Sequence, residues 1–279
     1  MYDGGSLSEP SLLQRAVGEL RVAVKRFGPE TVLDELRQVG CLKARFPRRI
    51  VPGWMDVVML NTGGGVAGGD RLDLAFRVGA GGQVTIAAQA AERFYRALAA
   101  DAPSRVRTRL TVADGGALEW LPQETILFDR SALDRRLEVD LAADARFLGV
   151  ETIVFGRAAM GETVRQGWLR DLIRVRRGEE LLLHDAIRLN GEIAAALARP
   201  AVGGGASVVT TMVYLAPDAG AKLDAVRDAL GCAEAGASVW NGMMVARILG
   251  ADSASVRATV VAALGVLREA RPLPRVWLC

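Results

Sequence analysis

Five glycines and one carboxylate stand together in Leu60-Asn61-Thr62-Gly63-Gly64-Gly65-Val66-Ala67-Gly68-Gly69-Asp70. Glycine takes positive φ without a Cβ clash, so such a run folds as a tight loop whose cost in chain entropy other contacts must offset. Gly63, Gly65 and Gly68 have the G-x-G-x-x-G spacing that lays a pyrophosphate on a helix N-terminus, and Val57-Val58-Met59-Leu60 supplies a preceding strand. That use requires a helix after Gly68. Instead Leu72, Leu74, Phe76 and Val78 alternate with Arg71, Asp73, Ala75 and Arg77, the two-residue period of a half-buried strand. An enzyme binding a phosphate-bearing cofactor at Gly63 to Gly69 is therefore the second reading. Carboxylates are the other candidates: Asp70 closes the loop, while Glu151 and Glu162 bracket the Phe155-Gly156-Arg157 turn. Hard oxygen donors together with water can hold a divalent ion weakly. The competing role for Asp70 is to accept backbone N–H groups within the turn.

Other chemistry is thin. His184 is the one histidine in the chain and lies in Leu181-Leu182-Leu183-His184-Asp185, so any Ser-His-Asp or Cys-His apparatus must use it. A site built from several imidazoles is excluded. A strand histidine beside an aspartate is more commonly a structural hydrogen-bonding residue. Glu119 and Glu124 flank Trp120-Leu121-Pro122, and carboxylates about 5 to 9 Å apart would suit glycoside hydrolysis. The ordinary reading is an exposed pair on neighbouring strands. Cys41, Cys232 and Cys279 are few, odd in number and far apart, which argues against a disulfide framework and for a reducing compartment.

The elements that must position these groups read mostly as strands. Gly18 to Lys25 alternates and is closed by Phe27-Gly28-Pro29-Glu30, and Thr31-Val32-Leu33 and Cys41 to Phe46 read as two short strands. Arg71 to Val78 and Gln83 to Ala88, joined by Gly79-Ala80-Gly81-Gly82, read as a hairpin. Alternation recurs at Arg105 to Val112, Ala117 to Trp120, Arg136 to Leu141, Phe147 to Phe155, Leu169 to Val175, Leu181 to Leu189 and Ser207 to Tyr214. Glu192 to Ala198 fits a short helix, and Val239 to Leu249 a buried strand. Leu223, Val226 and Leu230, then Val256, Thr259, Val260, Ala263 and Leu267, recur at helical spacing, with Ser253 as N-cap of the second helix. The expected fold is mainly β, with many antiparallel strands in packed or wound sheets, a β-helix-like body, and about two α-helices near the C-terminus. No fixed-period repeat supports a propeller or regular solenoid. Residues 1–279 read as a single domain, with 1–14 a flexible tail.

Composition bounds the rest. A hydrophobic fraction of 51% is ample for a large core. The net charge of +3 is carried by arginines spread over many segments, the mark of solvated strand faces rather than of a nucleic-acid footprint. Such guanidinium groups suit carboxylates on another protein. Met1 to Pro10 lacks the basic start and apolar run of a secretory signal, so cytoplasmic residence is expected. The apolar run Ala258 to Leu267 is about half of what a membrane span requires.

Taken in order, the glycine loop with Asp70, Ala90-Ala91-Glu92-Arg93-Phe94-Tyr95-Arg96, Leu118 to Glu124, Gly156 to Glu162 and Leu273-Pro274-Arg275-Val276-Trp277 resemble the urease accessory protein UreD (UreH) family along nearly the whole chain. The resemblance implies a non-catalytic chaperone and scaffold for nickel insertion into apo-urease, acting with a UreF-type adaptor and a UreG-type GTPase. It also implies no tightly bound cofactor, only transient Ni2+ in a water-filled passage. Asp70 and Glu162 fall on matching family positions, and with Glu151 they are the residues expected to meet the metal.

Overall fold

A computed structural model describes residues 14–157, 160–231, 233–269 and 271–278; Ala158, Ala159, Cys232, Ala270, Cys279 and the expected tail up to residue 13 lie outside the described residues. The chain opens with a hairpin of β1 (Val17–Phe27) and β2 (Glu30–Gly40), then runs through β3 (Leu42–Arg45) into β4 (Met55–Asn61) and the glycine loop. It leaves the loop as β5 (Arg71–Val78) and continues as β6 (Gln83–Ala88), β7 (Glu92–Phe94), β8 (Ser104–Val112), β9 (Ala117–Leu121) and β10 (Thr125–Leu127). Next come β11 (Ala132–Leu141), β12 (Arg146–Phe155), the long hairpin of β13 (Gln166–Arg177) and β14 (Glu180–Glu192), and the short α1 (Ile193–Leu197). The C-terminal part is β15 (Val208–Leu215), α2 (Leu223–Leu230), β16 (Glu234–Trp240), β17 (Met243–Gly250), α3 (Ser253–Leu267) and a 3₁₀ turn at Arg275–Trp277.

The strands form two sheets. One has seven strands in the order β14-β13-β11-β8-β5-β1-β2; the other has ten, of which eight run β16-β17-β15-β12-β9-β6-β4-β3, with β10 beside β12 and β7 beside β10. Between β5 and β13 the chain winds back and forth between them, each coil passing from the seven-stranded sheet to the ten-stranded one: β5 then β6, β8 then β9, β11 then β12. The mainly β, wound body expected from the sequence is present. Antiparallel pairing, however, is confined to the margins, at β1/β2, β13/β14, β3/β4 and the β12-β15-β17-β16 end, while the middle of both sheets is parallel. A period of two reports half-burial and is blind to strand direction.

One consequence is a correction. Arg71–Val78 and Gln83–Ala88 are not a hairpin, because β5 and β6 lie in different sheets and Gly79 to Gly82 is the corner between them. The corners of successive coils stack: Gly81 N–H donates to Asp114 O (2.9 Å), and Gly115 N–H to the Asp144 side chain (2.8 Å). Val239 to Leu249 is also two strands rather than one, since Asn241 and Gly242 turn with positive φ between β16 and β17. β2 is longer than Thr31 to Leu33; its outer half, exposed and charged, has no apolar alternation to read. The N-cap of α3 is Asp252, one residue before Ser253, whose carboxylate accepts Ser255 N–H at 2.8 Å.

Two cores follow. The larger lies between the sheets and includes Leu20, Phe76, Ile86, Leu110, Trp120, Phe147 and Val175. The second lies on the other face of the ten-stranded sheet, where Leu121, Met212, Ile248 and Val154 meet Val226, Val260, Leu264 and Trp277. Strands covered on both faces read as near-continuous apolar runs, as β9 and β12 do. Among the described residues no helix is long and apolar enough to cross a membrane.

Glu119, expected on the surface, is instead 2% exposed beneath the end of α3, where Arg268 (3.1 Å) and Arg271 pair with it. The face of β9 opposite the main core is covered by helix, so a residue there is buried whatever its charge. Glu124 pairs with Arg257 of α3 at 2.8 Å, and Arg257 also donates to Trp277 O, which clamps the C-terminal turn. Glu119→Ala leaves Arg268 buried without this carboxylate and is expected to cost about 3 to 5 kcal/mol in urea unfolding. A loss below about 1 kcal/mol would contradict that role.

Candidate functional site

The two sheets do not close completely. A cavity of about 330 Å³ lies between them, bordered at its exposed end by Thr62, Gly64, Gln89 and Arg93, walled by Leu42, Leu72, Leu74 and Val106, and ended by the buried Trp120, Thr125, Arg135 and Glu151. The glycine loop forms one lip. Gly65 has φ 141° and the Tyr95 ring packs where its Cβ would stand, with Tyr95 Oη donating to Gly64 O at 2.7 Å. Because β5 rather than a helix follows, the loop offers no helix N-terminus to a pyrophosphate.

Asp70, 6% exposed, ties this loop to the start of β1. Its two carboxylate oxygens accept Ala16 N–H and Ala67 N–H, each at 2.8 Å. It does not line the cavity. Glu162 also stands off the cavity wall, accepting Arg157 Nε (2.6 Å) and Asp129 N–H (3.3 Å), while the Arg157 guanidinium lies over Phe128. Glu151, on β12, does line it. The three carboxylates of the sequence reading are thus apart, and among the described residues no three His, Cys, Asp or Glu side chains converge to hold a metal ion.

The inner end of the cavity is one charged cluster. Arg135 on β11 makes a bidentate pair with Asp171 of the adjacent β13 (Nε 2.7 Å, Nη2 2.8 Å) and reaches across to Glu151 (2.6 Å) and Thr125 Oγ1 (2.8 Å) of the opposite sheet. Trp120 Nε1 donates to the other Glu151 oxygen at 2.7 Å. Burial pushes the Glu151 carboxyl up, against the lowering pull of Arg135 and Trp120. Burial also works against the Arg135 charge, but Asp171 and Glu151 outweigh it and hold the guanidinium above its usual range.

At the outer end the carboxylate is Glu92. Asn61 Nδ2 donates to it at 3.0 Å, and Asn61 also accepts Gly63 N–H at 2.9 Å, so one amide links Glu92 to the glycine loop. Burial raises Glu92 above the ordinary carboxylate range despite those hydrogen bonds. Cys41, close behind, has its thiol likewise pushed up by burial. His184 is exposed on β14, and its neighbour Asp185 is paired with Arg247 at 2.6 Å, not with the imidazole.

Sequence reasoning passed over Glu92, Arg135 and Asp171. Two of them were signalled: Arg135 takes the inward position in Leu133-x-Arg135-x-Leu137-x-Val139, and Asp171 does so in Leu169-x-Asp171-x-Ile173. A charged residue in phase with the core marks a buried ion pair. Glu92 sits on a three-residue strand, too short to have a phase.

The folded chain binds the Glu92 proton more tightly than the unfolded chain does. Between the ordinary value of 4.5 and the raised folded value, stability therefore falls as pH rises. Glu92→Gln cannot ionise and escapes that loss. Its melting temperature relative to the parent should be higher at about pH 7.5 than at about pH 4, and an unchanged difference would contradict the assignment.

Comparison with known proteins adds a name to this architecture. The profile of the family described as UreD urease accessory protein matches residues 16–278. A "Urease accessory protein UreD" of Xanthobacter autotrophicus (strain ATCC BAA-1158 / Py2) is 45% identical over 98% of this chain and 93% of its own length. Proteins of the same name from Rhizobium leguminosarum bv. trifolii and Methylobacterium sp. (strain 4-46) are 44% and 43% identical over 95% and 96% of this chain, and 96% and 97% of their own lengths.

Proposed function

The chain belongs to the UreD urease accessory protein family, and from that premise we propose that it is a non-catalytic scaffold in the cytoplasm through which nickel passes into apo-urease. It acts in a complex with a UreF-type adaptor and a UreG-type GTPase. The sequence holds no G-x-x-x-x-G-K-[ST] loop, so nucleotide hydrolysis falls to the GTPase partner.

The observation that carries the reading is the cavity between the sheets, with a carboxylate near its exposed end and another at its buried end. Nickel is cargo here, and a carrier must bind it loosely. Glu92 and Glu151 suit that need because their oxygens already accept hydrogen bonds from Asn61, Trp120 and Arg135, which lowers their hold on an incoming cation. Protons compete as well, since burial raises both carboxyls. Asp70 serves by fixing the lip, as both its oxygens are spent on backbone N–H groups. Glu162 serves on the outer surface, held by Arg157.

The test is co-production of urease with its accessory proteins carrying Glu92→Gln, followed by metal analysis of the purified urease. A several-fold fall in nickel per urease, with adaptor and urease still co-purifying, is expected from the loss of charge at the mouth. Full nickel loading by Glu92→Gln would remove this carboxylate from the path.

A further inference from the structure

Arginines that are scattered along the sequence are brought into rows by the winding. Across the outer face of the seven-stranded sheet, hydrogen-bonded neighbours place Arg71, Arg105, Asp134, Arg170 and Arg188 in one line over five strands. Two rungs along, Arg37, Arg21, Arg109, Glu138 and Arg174 form another. These two rows hold eight arginines against two carboxylates, an excess of six where the whole chain has an excess of three. The second row is largely neutralised from within: Arg21 and Arg37 pair with Glu19, and Arg109 and Arg174 with Glu138.

The first row is not. Among the described residues none of Arg71, Arg105, Arg170 and Arg188 has a side-chain partner, and the single carboxylate in the row, Asp134, is claimed by Arg107 of a neighbouring row at 2.5 Å. Its other oxygen is buried 3.9 Å from Arg136 Nε, so Asp134 is paired with two arginines of the neighbouring row and leaves the four arginines of its own row without a carboxylate. At one end of the row a hollow of about 400 Å³ is lined by Trp168, Arg170, Arg188 and Asn190. A tryptophan beside desolvatable arginines is the composition of an interface hot spot.

We propose that this row is the docking surface for an acidic helix of a partner protein. Neighbouring strands put the row's side chains about 4.8 Å apart, so five positions span about 19 Å. A helix laid along them returns a side chain to the same face every turn, about 5.4 Å, and stays within reach of every rung through the length of an arginine. An extended segment returns one only about every 6.7 Å and falls out of step by the third rung. The partner helix presents carboxylates on two turns, a neutral residue opposite the already paired Asp134, and carboxylates on the next two. A phosphate backbone, uniformly negative, would set a phosphate against Asp134 and make no use of the interruption. The docking needs neither nickel nor urease, so its failure leaves the passage reading untouched.

The full chain is titrated with a synthetic helical peptide of about 20 residues carrying that Glu-Glu-Gln-Glu-Glu stripe, with a scrambled peptide of the same composition, and with a duplex DNA of about 20 base pairs. The striped peptide is expected to bind, and to weaken about tenfold when salt rises from about 50 to about 300 mM. Arg105→Gln with Arg170→Gln should weaken it by a further factor of about ten, while Arg45→Gln with Arg199→Gln, off this face, should change it by less than about threefold. Equal binding of the scrambled peptide, tighter binding of DNA, or no binding of the striped peptide would each overturn the proposal, and these arms need no variant to fold.

Discussion

The structure depends on one guanidinium. Arg135 is nine-tenths buried between the sheets, holds Asp171 on its own sheet with two hydrogen bonds, and reaches Glu151 and Thr125 on the other. Removing any of these ions from water costs several kcal/mol, which their mutual attraction and the Trp120 donor offset only in this one geometry. Slippage of one sheet over the other by a residue would strand a buried charge. The cluster therefore fixes how the coils on either side of the core stand relative to each other, which apolar packing, being non-directional, does less sharply.

That cluster also explains why a cavity survives in a core that otherwise packs as Leu, Val and Ile. Close packing eliminates voids where apolar side chains are free to fill them. Here Arg135, Glu151 and Trp120 are held by their own hydrogen bonds and cannot swing into the space, and at the other end the glycine loop is held out by Asp70 and by Asn61. The void is thus kept open by polar groups at both ends. Between those ends its walls are formed by Leu42, Leu72, Leu74 and Val106.

Much of the fold was legible in the sequence because half-buried strands alternate whatever their direction. Direction was not, since the connections carry it: the Gly79 to Gly82 corner has the composition of a hairpin turn but joins two sheets. The winding was hidden because successive strands of the seven-stranded sheet begin at Arg71, Ser104, Ala132 and Gln166, intervals too unequal to register as a repeat. The glycine loop and the capping role of Asp70 were visible from residue types alone, because glycine and aspartate do local work in turns. Glu119 was misplaced because only the third layer, α3, buries it. Glu92 was invisible because its environment is assembled from Asn61 and the chain beyond, with no local pattern of its own.

The central claim is that nickel moves through the space between the sheets. Ala88 lines that space on β6, so Ala88→Phe sets a ring inside it, at a packing cost of about 1 to 3 kcal/mol that a stable β core tolerates. The decisive quantity is the nickel content of urease matured with this variant, measured alongside its unfolding midpoint and its co-purification with adaptor and urease. The account predicts nickel content close to that of urease made without the accessory chain, with the complex still assembled. Urease fully loaded with nickel while the ring occupies the cavity would contradict it.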